Sequence, residues 1–76
     1  MKIPKHVIMV SVVSKNLREA GYDKQTGNLW IIFHQGRTYY YDDVPFSKYH
    51  TLINLHEDVG EYFAEHIDGK YTHHEI

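Results

Sequence analysis

Residues 20–45 read Ala-Gly-Tyr-Asp-Lys-Gln-Thr-Gly-Asn-Leu-Trp-Ile-Ile-Phe-His-Gln-Gly-Arg-Thr-Tyr-Tyr-Tyr-Asp-Asp-Val-Pro, and this stretch decides the fold. Leu29 to His34 is β-branched, aromatic and aliphatic, the composition of a pleated, buried strand. A period of two puts Leu29, Ile31 and Phe33 on one face and Trp30, Ile32 and His34 on the other. Both faces are largely apolar, so neither is expected to be a purely solvated surface. Asp23 to Asn28 before the run is rich in turn formers, with Gly27 available for a positive φ. Gly36 offers a second turn, and Thr38 to Tyr41 a further strand with Tyr39 and Tyr41 on one face. Val44-Pro45 ends it, because proline donates no ladder bond and holds its predecessor extended. Leu17 to Tyr22 has the weakest pattern of the three and is assigned as a strand from the hairpin that follows it.

Working outward, Ser14-Lys15-Asn16 reads as a turn, with Ser14 as a local hydrogen bonder. Val7 to Val13 is β-prone and suits an added edge strand, or the seam that pairs two copies of the chain. Residues 1–6 and 72–76 read as flexible ends. After Pro45 the period becomes helical: Phe46, Tyr49, Leu52, Ile53 and His56 recur at steps of three and four. Val59, Tyr62, Phe63, His66 and Ile67 make a second stripe. Asp58 with Glu61 has the capping-box spacing for this helix, and Gly69 stops it. Gly60 inside the helix implies a close neighbour, either the sheet or the first helix. Lys70-Tyr71 docks back in this reading. The predicted class is α+β, one domain: an antiparallel meander of three strands, or four with the edge strand, then two helices packed on one sheet face.

Composition bounds the function. A 76-residue chain with 42% hydrophobic and 14% aromatic residues folds as one small domain. It has no cysteine, which excludes disulfides and thiolate metal sites and fits a reducing, cytoplasmic setting. No apolar run approaches the roughly 20 residues of a membrane span, and no signal peptide is read. Net charge is −2 but unevenly divided: residues 1–37 carry +4 and residues 38–76 carry −6. An overall basic footprint is absent, which leaves room only for a local basic patch on the sheet side.

Seven histidines raise the question of a metal. His73 and His74 are neighbours whose side chains point apart in extended chain, and His6 stands near the other end. Glu65 and His66 lie in the second helix, but an HExxH spacing is absent, and no metal or cofactor is expected. His56, between the helices, reads as a half-buried hydrogen-bonded residue. Ser11, Ser14 and Ser47 lie in no nucleophile pattern, and Asp42 and Asp43 face opposite ways on extended chain. No catalytic constellation is visible, so the expectation is a binding module rather than an enzyme.

Taken in order, Ser14, Leu17, Gly21-Tyr22-Asp23, Leu29-Trp30-Ile31-Ile32-Phe33, Gly36, Tyr39, Tyr41, Val44-Pro45, Tyr49, Leu52, Gly60, Tyr62-Phe63, Ile67 and Tyr71 resemble the KTSC domain over about residues 10–71. That family occurs free-standing in bacteria and phages and at the C-terminus of some lysyl-tRNA synthetases. The chain departs from the family's usual residues at His56, Asp58, Ala64 and Asp68. The resemblance implies nucleic-acid or tRNA-associated binding. The residues that suit it are the aromatics Trp30 and Tyr40 with Arg18, Lys24 and Arg37, since base-stacking sheets pair rings with cations. The alternative is a small phage-type or mobile-element protein that modulates a host protein, through its acidic helical half (Asp58, Glu61, Glu65, Asp68) or as a homodimer.

Overall fold

A computed structural model describes residues 2–76; Met1, part of the expected loose start, lies outside the described residues. The chain runs β1 (Met9–Ser11), β2 (Leu17–Asp23), β3 (Asn28–Phe33), β4 (Thr38–Tyr41), α1 (Phe46–Asn54), α2 (Val59–His66) and β5 (His73–Glu75). The strands form one antiparallel sheet in the order β1-β2-β3-β4-β5. The α+β meander and its two helices therefore stand as the sequence predicts, and the edge strand falls inside Val7–Val13.

The fifth strand corrects the expectation of a loose polar tail at 72–76. His73–Glu75 lies along the outer side of β4, framed by Asp42 N–H donating to Thr72 O at 2.9 Å and Ile76 N–H donating to Thr38 O at 3.0 Å. The reason is backbone pairing: β4 otherwise presents an open edge, and pairing satisfies its groups whatever side chains the partner carries. At the other end, Val7 N–H donates to Pro4 O at 3.0 Å, so the segment before β1 is a turn.

A bulge accounts for the weak pattern of β2. Leu17 pairs with Phe33 and Glu19 with Ile32, leaving Arg18 as the extra residue. Leu17 and Ala20, three apart, thereby both face the core, which an unbroken period of two forbids. The hairpins close as read. Gly27 (φ 80°) donates to Asp23 O at 2.8 Å, and Gly36 (φ 95°) donates to Phe33 O at 2.9 Å.

On the helix side, Leu17, Ala20, Leu29, Ile31 and Tyr41 of the sheet pack against Tyr49 and Leu52 of α1, Val59 and Phe63 of α2, and Ile67. Each fully buried aliphatic side chain there contributes about 1.5–3 kcal/mol. Tyr71 docks on this core as expected, with Lys48 Nζ 5.2 Å over its ring and bonded to His66 O at 3.0 Å.

Three local expectations fail. Asp58 precedes α2 with a left-handed backbone (φ 58°, ψ 28°) and makes no side-chain cap bond, so the Asp58–Glu61 capping box does not form. A cap needs extended backbone to turn its oxygen back on the helix. α2 ends at His66, ahead of Gly69, whose φ of 80° belongs to the turn beyond. His56 is exposed rather than half-buried. Gly60 does meet a close neighbour, but it is the β1–β2 loop: an added Cβ would lie 3.3 Å from Ser14 Oγ. Among the described residues, no helix is long and apolar enough to cross a membrane.

Candidate functional site

The sheet face away from the helices carries one cross-strand row: Met9, Gly21, Trp30, Tyr40 and His74. Gly21 brings no side chain, and Val7 to Met9 lies across the space it leaves; an added Cβ would run into Met9 Sδ, Ile8 O and Val7 Cγ1. On the other flank Tyr40 sits 4.7 Å from Trp30 between ring centroids, and His74 stacks on Tyr40 at 4.6 Å. Trp30 is consequently 0% exposed, and its Nε1 has no hydrogen-bond partner among the described residues. An accessible Trp30 on a stacking platform is thus corrected: the ring is core, and Tyr40 is half-buried between it and His74.

Both chain ends are fastened to this face by a histidine and a carboxylate. His6 Nε2 lies 2.9 Å from Asp23 Oδ1, and His74 Nε2 lies 2.8 Å from Asp42 Oδ2. Asp23 is buried, and its Oδ1 also accepts Gln25 N–H at 2.9 Å. These bonds, the one from His6 foremost, hold its carboxyl below the usual range against the opposing effect of burial.

The three predicted cations do not converge. Lys24, in the β2–β3 turn, holds its Nζ 5.6 Å from the Phe46 ring. Arg18 lies at the bulge, 3.9 Å from Glu19, and Arg37 in the β3–β4 turn, 3.8 Å from Glu75. Antiparallel pairing puts Arg18 and Arg37 at one end of the sheet and Lys24 at the other. The acidic residues divide as well. Asp58, Glu61 and Glu65 line a shallow cavity of about 360 Å³ with Leu55 and Tyr62, while Asp68 faces a different groove.

That groove, of about 590 Å³, opens at the Arg18–Arg37 end between α2, the β1–β2 loop and the sheet. Its walls include Lys15, Asn16, His34, Gln35, Phe33 and Tyr39, with Asp68 and His73 on the far side. Ser14 Oγ accepts the N–H groups of Asn16 and Leu17 at 3.1 and 3.2 Å, the turn role read from the sequence. His34 then ties the loop to β3: its N–H donates to Asn16 O at 2.8 Å, and its Nε2 lies 2.9 Å from Ser14 O. Tyr39 donates its hydroxyl to Glu75 Oε1 at 3.1 Å. Burial, with help from Asp68 and Tyr39, pushes the Tyr41 hydroxyl up, so it stays a neutral phenol.

The groove offers amide, imidazole, ammonium and phenol groups over aromatic rings, which suits holding a polar, planar or anionic ligand. No group of three or more His, Asp or Glu among the described residues is placed to hold a metal ion. Lys15, Asn16, His34 and Gln35 escaped the sequence reading. Their signal was positional: the turns before Leu17 and after Phe33 must meet once those two residues pair.

Comparison with known proteins agrees with this architecture. No curated protein matches the chain. The crystal structure of a KTSC domain protein from Yersinia pestis is similar, with TM-score 0.82 and 30% identity over 92% of this chain and 97% of that one. The family model of the KTSC domain matches residues 13–71, and the chain belongs to the KTSC domain family.

Proposed function

We propose that the chain is a non-enzymatic binding module that takes a single-stranded RNA segment in the groove at the Arg18–Arg37 end of the sheet. The observation that carries this is a groove lined by Lys15 and His34 and walled in part by the half-buried rings of Phe33 and Tyr39, with Arg18 and Arg37 in the bulge and the turn at the same end of the sheet. Cations positioned beside aromatic rings suit a phosphate backbone with stacked bases, and Asn16 and Gln35 add the donors and acceptors that base edges use. In this reading Trp30 and Tyr40 support the sheet, and Lys24 takes no part.

The test is anisotropy of short dye-labelled single-stranded RNA at low and moderate salt. Micromolar binding that weakens steeply with salt is expected, with a loss of about tenfold on combining Lys15→Glu and Arg37→Glu. Absence of binding at low salt would sink the reading. A second reading is a protein partner on the acidic helical half, as expected of a modulator of host protein. Its support is the cavity where Asp58, Glu61 and Glu65 surround Leu55 and Tyr62. Capture of a lysate protein that Glu61→Lys with Glu65→Lys abolishes, in a chain that ignores RNA, would favour it.

A further inference from the structure

The groove at the Arg18–Arg37 end contains an acid as well as its cations. Asp68 lies just past α2, where its N–H donates to Phe63 O at 2.9 Å, and it lines the groove together with Lys15 and His34. A carboxylate repels the phosphates that Lys15 attracts, so in a nucleotide site it belongs to the base, whose edge carries N–H donors.

A second polar group there is unanswered. Tyr41 is only 3% exposed, yet it lines the same groove. The Tyr39 hydroxyl is taken up by Glu75 and that of Tyr22 by Val44 O, whereas the Tyr41 hydroxyl has no hydrogen-bond partner among the described residues. It is not sealed off either: the one fully enclosed side-chain polar atom without a partner among those residues is Trp30 Nε1, so the Tyr41 oxygen keeps an opening on the groove. Burial and the charge of Asp68 keep it a neutral phenol, able to donate.

The groove thus sets a carboxylate, which accepts two N–H bonds, near a phenol that donates one. Guanine alone among the bases presents two adjacent donors, N1–H and the N2 amine, beside an acceptor, O6. Adenine and cytosine set one amine beside an acceptor, and uracil sets one N–H between two. Phe33 and Tyr39, edge-on at 5.6 Å and half-buried, supply ring surface for a planar base. We propose that the groove selects a guanine base, Asp68 accepting from N1–H and the N2 amine and Tyr41 donating to O6, an assignment that rests on the RNA reading and names the base it takes.

The test is anisotropy of short dye-labelled adenosine oligonucleotides, either all-adenosine or with one central guanosine or inosine. Inosine keeps N1–H and O6 but lacks the N2 amine. The guanosine oligonucleotide is expected to bind about tenfold tighter than the all-adenosine one, the effect of a bidentate base contact, with inosine between them. Asp68→Asn, at an exposed position, should abolish this preference and leave binding of the all-adenosine oligonucleotide in place. Tyr41→Phe should narrow the preference and leave the urea midpoint unchanged, since it removes a hydroxyl that no described residue bonds. Equal binding of the guanosine and adenosine oligonucleotides would overturn the guanine assignment while the RNA reading stood. A guanosine preference that survives Asp68→Asn would overturn it too. Binding of none of the three at low salt would sink both readings together.

Discussion

The two faces of the sheet are covered to different extents and by different means. One is covered by α1 and α2, whose Tyr49, Leu52, Val59 and Phe63 meet Leu29, Ile31 and Tyr41. The other is covered by the two ends of the chain: Val7 to Met9 across Gly21, and His74 over Tyr40. The first cover is apolar and continuous. The second rests on a missing Cβ, a row of stacked rings and two histidine–carboxylate contacts. A small domain with a single helix layer can thus bury the ring at the centre of its second face with a few terminal residues, provided the strand register brings them there.

The largest test of that comparison is Trp30→Ala. If the second face is a true core, the substitution will cost about 3–5 kcal/mol, as much as Leu52→Ala on the helix side at about 2–5 kcal/mol. Equilibrium urea denaturation of both variants measures this, and a Trp30 cost below about 1 kcal/mol would break the equivalence. Removing residues 72–76 is expected to cost about 2–3 kcal/mol, from lost ladder bonds and the lost ring contact on Tyr40. A red shift of Trp30 emission on that deletion would show that the terminal strand keeps its surroundings dry.

The smallest effect separates the fastening of the second face from its packing. Asp23→Asn is expected to cost about 1–2 kcal/mol at neutral pH, by weakening the bonds to His6 and to Gln25 N–H. The folded carboxyl titrates below its unfolded value of about 3.9. Its stabilisation is therefore present above that pH and lost as pH falls through the lower folded value. The stability difference between the parent chain and Asp23→Asn should shrink over that acidic window. A difference independent of pH would show that the charge contributes nothing.

The candidate site was legible only in part. Arg18 and Arg37 belong to the basic end, as strand and turn assignments allow. Lys24, grouped with them because it lies beside the same strands, falls at the far end because the length of β3 separates the turn that holds Lys24 from the turn that holds Arg37. A period of two sets Trp30 on the face away from Leu29, Ile31 and Phe33, as it is, but its burial depends on Gly21 lying opposite and on the chain end that crosses it. Tyr22 stacks on Tyr49, a contact that no sequence spacing announces, because Tyr22 stands where α1 packs on β2.

By itself the sequence determined the meander, its glycine turns, the two helices and the residues that face them. These follow from local rules: a period of two, a period of 3.6, and the φ that glycine and proline permit. Tertiary structure alone decided the bulge at Arg18, the strand formed by His73–Glu75, the closure over Trp30, and the division of the cations between two ends. Each of these depends on which backbone groups lie opposite one another across the sheet, and long-range register leaves no periodic trace in the segments it joins.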